Sequence, residues 1–143
     1  MNREQLGADG IFRTSLEVCE DAIDENGHVN NVVYVQWMQD VAIRHSLASG
    51  GTAAMKEEGG SWVVRSHSIE YLRPAFAGDV IDVSTWIANI RRVRSLRKYE
   101  FVRRSDGELL ARGETDWVFV DPGTGRPSQV PDSVAVCFRV VER

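Results

Sequence analysis

A chain of 143 residues can bury one hydrophobic core but is too short for two ordinary domains, so a single domain over residues 1–143 is expected. Its 27% charged and 43% hydrophobic residues are ordinary for a globular protein, and a net charge of -4 speaks against general nucleic-acid binding. No apolar run approaches the roughly 20 residues that span a bilayer, and Met1–Gln5 lacks the apolar centre of a signal peptide, so no membrane span and a cytoplasmic location are expected. Cys19 and Cys137 lie far apart with no CxxC spacing; they form neither a zinc motif nor a disulfide framework and read as small buried residues.

Residues 1–10 are polar, contain Gly7 and Gly10, and read as frayed. From Phe12 to Val18 the chain alternates, with Phe12, Thr14, Leu16 and Val18 on one face, which is the pattern of a half-buried strand. That strand runs into the loop from Asp24 to Asn31, Asp-Glu-Asn-Gly-His-Val-Asn-Asn, directly before the one long helical pattern. The first amides of a helix lack intrahelical acceptors and carry the positive end of its dipole, so an oxygen bearing negative charge is stabilised there. Asn30 or Asn31 suits the N-cap, and Gly27 allows a close backbone approach. Two readings of Asp24 follow. It can simply cap the helix, or it can act on a carbonyl held by the helix amides as in an oxyanion hole.

Tyr34, Trp37, Met38, Val41, His45 and Ala48 recur at three- and four-residue intervals, and Gly50-Gly51 closes the helix. Val32, Val33 and Val35 are poor helix formers, so the first turn depends on burial. Four strand patterns follow, Trp62–Tyr71, Val80–Asn89, Ser95–Arg104 and Leu109–Val120, which in sequence order imply an antiparallel meander. Val134–Val141 adds a short sixth strand or extension. The order strand, helix, four strands is that of an α+β domain, one long helix against a five-stranded sheet. Gly123-Thr124-Gly125 is too short for a phosphate loop.

The motif Asp24-x-x-Gly27-His28-Val29-Asn30-Asn31-x-x-Tyr34 resembles the signature of hotdog-fold thioesterases of the 4-hydroxybenzoyl-CoA thioesterase type. The likeness continues through Ser68–Ala75 with Gly78-Asp79, and through Ala111-Arg112-Gly113 ahead of Phe119-Val120-Asp121. It implies a sheet wrapped around a central helix, and subunits paired edge to edge as a homodimer or homotetramer with sites between them. By position Asp24 matches the catalytic carboxylate and Asn31 the residue whose backbone N–H polarises the thioester carbonyl. His28 matches a loop-ordering residue beside Gly27. Other hotdog thioesterases carry the acid on the helix, where this chain offers Gln36, Gln39 and, as a weaker candidate, Asp40.

The implied substrate is an acyl-CoA; coenzyme A enters as part of it, and neither a further cofactor nor a metal is implied. A thioester suits so spare a site, since a thiol of pKa about 8.5 leaves readily. The alternatives are a thioester on acyl carrier protein, or a non-catalytic acyl-binding or assembly module, which has no need of Asp24. Arg91, Arg92, Arg94, Arg97 and Lys98 cluster in an otherwise acidic chain. They read either as a solvated hairpin end or, for Arg91, Arg92 and Arg94 with Ser95 beside them, as a coenzyme A phosphate site. Tyr34, Trp37 and Trp62 are candidates for the acyl pocket, and core packing explains each equally well. His45 and His67 read as packed residues.

Overall fold

The computed structural model describes residues 4–143. Its strands are β1 (Gln5–Leu6), β2 (Phe12–Glu17), β3 (Ser61–Tyr71), β4 (Val80–Arg91), β5 (Arg94–Arg103), β6 (Leu109–Asp121) and β7 (Arg126–Pro127). The helices are α1 (Asn31–Ser49), α2 (Gly51–Glu57) and the single turn α3 (Asp132–Ala135). All strands join one antiparallel seven-stranded sheet of order β1-β2-β4-β5-β6-β3, with β7 paired to β6.

The five long strands and the central helix stand where the patterns put them, but their order is not a four-strand meander. Only β4, β5 and β6 follow one another; β3 pairs with β6 at the far edge, and β2 takes the place beside β4. The segment from Leu72 to Asp79 makes this crossing along one end of the sheet. Leu110 O accepts from the Leu72 and Arg73 N–H groups, and Val18 exchanges backbone hydrogen bonds with Gly78 and Asp79 at 2.9 Å each.

Three smaller expectations are corrected. Of residues 1–10, the first three lie outside the described residues, but Gln5–Leu6 is paired with β2 rather than frayed. The turn between them is closed by Gly7 N–H to Ile11 O at 2.9 Å, and Asp9 pairs with Arg13 at 2.8 Å. The 134–141 segment is a helical turn followed by one bridge, Ile87 to Val140, because Pro131 starts a turn whose N–H groups point back to its own carbonyl. Cys19 is exposed and Cys137 half-buried, so neither is a core residue.

Helix α1 buries Tyr34, Met38, Val41, Ala42 and His45, a stripe at three- and four-residue spacing that packs on Phe12, Ile81, Val83, Tyr99 and Phe101 of the sheet. Each large side chain buried in this way contributes about 1.5–3 kcal/mol, which outweighs the weak helix propensity of the three valines at the start. Ala48 is exposed. Gly50 alone ends the helix, with φ at +88°, and Gly51 already belongs to α2. Strand β3 is an eleven-residue edge strand with no residue fully buried.

Candidate active site

The Asp24 loop is a closed turn. Ile23 and Val29 form an antiparallel bridge, Asp24 N–H donates to His28 O at 3.0 Å, and Gly27 N–H donates to Asp24 O at 3.0 Å. Gly27 adopts φ of +83°, a backbone state that residues with a Cβ avoid. The Asp24 carboxylate stays local: its Oδ1 accepts the Asn26 N–H at 2.9 Å, and it does not cap the helix. Asn30 does that, its Oδ1 accepting from Val32 N–H at 3.0 Å while its carbonyl accepts from Val33 N–H. The loop is fixed from below by Val29 N–H to Ala75 O at 2.9 Å and Asn30 N–H to Ala22 O at 2.9 Å.

Val32 and Val33 are satisfied, whereas the Asn31 N–H meets no acceptor among the described residues. A half-buried carboxylate and a free amide at the positive end of a helix thus stand on consecutive pieces of one braced loop. Tyr71, not singled out in the sequence, completes the bracing: its hydroxyl donates to Asn31 O at 3.2 Å, and its ring lies edge-on to Tyr34 at 5.5 Å. Its place as the last residue of β3 was readable, but the contact over forty positions was not.

Tyr34 itself is 3% exposed, packed edge-on against Trp37, Tyr71 and Phe101, and burial pushes its phenol up to about 12. It is a core residue that supports the loop. His28 is half-buried in the turn, and no group of three or more His, Cys, Asp or Glu side chains comes together among the described residues.

The arginines lie elsewhere. Arg91, Arg92 and Arg94 stand on the β4–β5 turn around an open concavity of about 670 Å³ on the sheet face away from α1. Arg94 is held by both oxygens of Asp116, and Arg91 and Arg92 are exposed. Arg92 has φ of +50°, a left-handed state unusual for a residue with a side chain, and its carbonyl accepts from Val130 N–H at 2.8 Å. Ser95 does not join them. Strand alternation turns it to the helix side, where it is 3% exposed and donates to Asn89 O at 3.0 Å. Along β6, Ala111 marks the Tyr71 end and Val118 the Arg94 end, which separates the loop from the arginines by roughly 23 Å within one chain.

An apolar cavity of about 290 Å³ lies between α1, α2 and the sheet, at the arginine end. Trp62 lines it, half-buried and edge-on to Phe119 at 5.1 Å.

The family model described as "Thioesterase-like superfamily" matches residues 19–138. Among curated relatives, the chain is 25% identical to palmitoyl-acyl carrier protein thioesterase of Cuphea hookeriana over 87% of its own length. It spans about a third, 32%, of that relative. It is 27% identical to acyl-CoA thioester hydrolase YbgC of Escherichia coli, covering 90% of this chain and 96% of that one. Among solved structures, a protein of Staphylococcus aureus, SAV2348, determined in complex with CoA, superposes with a TM-score of 0.81 at 22% identity over 89% of this chain and 80% of that one. Such superpositions show the hotdog fold.

Proposed function

The chain belongs to the thioesterase-like superfamily, and on that premise we propose that it hydrolyses acyl-CoA thioesters, with Asp24 as the acid and the Asn31 N–H as the oxyanion donor. One observation carries this: an amide without an acceptor at a helix N-terminus, on the same braced loop as a carboxylate that is not spent on capping that helix.

The thioester carbonyl oxygen sits at the Asn31 N–H, where charge developing on it is stabilised more in the transition state than in the ground state. Two routes fit the carboxylate. In the first, Asp24 attacks the carbonyl carbon, coenzyme A leaves as thiolate, and water hydrolyses the mixed anhydride. In the second, Asp24 takes a proton from a water molecule that attacks directly. In a single turnover in heavy-oxygen water, label enters the Asp24 carboxylate only by the first route, when water attacks the aspartyl carbon of the anhydride.

The roughly 23 Å between loop and arginines calls for two copies of the chain. Edge strand β3 pairing antiparallel with its copy about a two-fold near Ser66 sets Tyr71 of one protomer opposite Ser61 of its partner. The Asp24 loop of one then adjoins the arginine end of the other, and the coenzyme A phosphates meet Arg91 and Arg92 across the interface. The first test is purified protein against short, long and aromatic acyl-CoAs, reading free thiol; a protein that binds these and releases none is a binding module.

A second reading keeps the reaction and changes the carrier to acyl carrier protein. The likeness to a plant acyl carrier protein thioesterase supports it, as do exposed arginines that suit an acidic protein surface. Comparing the same acyl group on both carriers decides between them.

A further inference from the structure

Arg97 is 4% exposed and forms no pair with a carboxylate among the described residues. Its Nη1 donates to His45 Nδ1 at 2.8 Å and to Thr85 Oγ1 at 3.1 Å. Both partners are neutral. His45 is stacked on Phe12 at 5.5 Å and meets the edge of Phe138 at 5.4 Å, and burial together with Arg97 lowers its pKa to about 3. Burial also lowers Arg97, to about 10, which leaves it charged at neutral pH.

A buried ion without a counter-ion costs several kcal/mol, and a chain that only needed to join α1 to β4 here would manage with an amide or an apolar contact. Arg97 instead lines the 290 Å³ cavity, whose other walls include Ile43, Met55, Trp62, Ile90 and Trp117. Its hydrogen bonds to His45 and Thr85 both use Nη1, and neither Nε nor Nη2 has a hydrogen-bond partner among the described residues. The cavity is thus a mostly apolar slot, with the hydroxyl residues Ser46, Thr52, Ser61 and Ser95 in its lining and one cation without a counter-ion in its wall. A neutral alkyl tail entering it strips water from the guanidinium and returns nothing. A tail ending in a carboxylate supplies the missing counter-ion in fork geometry.

Resting on the hydrolase reading, we propose that this cavity receives the acyl group and that Arg97 selects acyl groups that end in a carboxylate, which makes the substrate class a short ω-carboxyacyl thioester. The size agrees: at roughly 30 Å³ per non-hydrogen atom, the cavity holds about ten. The proposed two-fold pairing of β3 is compatible with this, since it sets the partner's Tyr71 opposite Ser61, which lines the cavity.

The experiment compares glutaryl-CoA with pentanoyl-CoA, equal in chain length, on the wild-type protein and on Arg97→Met and Arg97→Lys. The wild type is expected to favour glutaryl-CoA in kcat/KM by about tenfold or more, and Arg97→Met to lower that ratio by at least about tenfold. Arg97→Lys keeps a cation in the core and should retain part of the preference, which separates charge from fold. A wild type without preference for glutaryl-CoA overturns the proposal whatever the variants do, and so does a preference that Arg97→Met leaves intact. A binding arm stands apart from catalysis: monomethyl glutarate should raise the wild-type Tm by about 1 °C or more, methyl pentanoate should not, and Arg97→Met should abolish the rise. Absence of hydrolysis with an Arg97-dependent Tm rise overturns the hydrolase reading alone; absence of both overturns both.

Discussion

The Tyr71 hydroxyl donates to the Asn31 carbonyl at 3.2 Å, so the last residue of β3 is tied to the first residue of the central helix. The Asn31 peptide that carries this bond on one side adjoins the amide proposed to hold the substrate oxygen. Tyr71→Phe removes one hydrogen bond of about 1 kcal/mol and should lower kcat/KM by about fivefold, with kcat rather than KM taking most of the loss. Equal kinetics in the two proteins would show that the bond is incidental.

Asp24→Asn should lower kcat by at least about a hundredfold, the lower range for loss of a general acid or base. Asn keeps an oxygen for the Asn26 N–H, so the turn and the Tm should persist. Near-normal turnover with unchanged substrate binding leaves Asp24 with only its local turn.

Shared sites are tested by mixing two parents that each have low kcat/KM. Co-expression of Asp24→Asn with an Arg91→Ala/Arg92→Ala chain gives hybrid dimers in which one site has an intact loop facing intact arginines. Measured below KM, activity should recover to about a quarter of wild type, since about half of the dimers are hybrids with one good site of two. Activity no greater than the sum of the parents places loop and arginines in the same chain's site.

The arginines themselves are not equivalent. Arg94 is occupied by Asp116, whereas no ion pair of Arg91 or Arg92 is found among the described residues. Arg91→Ala/Arg92→Ala should raise KM for acyl-CoA with kcat nearly intact, because phosphates bind equally in ground and transition states. The effect should shrink with salt, which screens exposed charges over about 8 Å at physiological strength. Acyl-N-acetylcysteamine, which has no phosphate, should be turned over as before; equal damage to both substrates assigns these arginines to the fold.

Stability should fall on the acid side earlier than surface carboxylates alone dictate. His45 has a folded pKa of about 3 against 6.5, so the unfolded chain binds the proton more tightly. The contribution of neutral His45 is complete above pH 6.5 and is lost as pH falls from there towards 3. At about 1.4 kcal/mol per pH unit the loss amounts to a few kcal/mol. His45→Gln, which keeps an acceptor for Arg97, should flatten urea midpoints between pH 6.5 and 4; an unchanged slope removes His45 as the cause.

The loop and helix were legible because their signals are local: a turn glycine, asparagines at a helix start and a three-four stripe from Tyr34 to His45. Alternation also held Ser95 apart from Arg94, a consequence of the strand pattern that the charge cluster obscured. The same parity puts Arg97 with Ser95, Tyr99 and Phe101 on the helix side, yet in sequence Arg97 reads as one more surface cation among five. What no local pattern carries is partner choice between strands. β3 joins β6 rather than β4, and the positions of Tyr71, the Leu72–Asp79 crossing and the edge follow from that pairing.

That crossing also sets an order of assembly. β2 closes on β4 across more than sixty residues, β3 on β6 across forty or more, and Val29 finds its acceptor at Ala75 only when the crossing lies in place. Closures of this length are slow compared with helix formation, so α1 exists as a helix well before anything holds the loop at its N-terminus. During refolding, helical signal should therefore rise first and any thioester hydrolysis last, and a growing chain completes the candidate site only after β6 has been made.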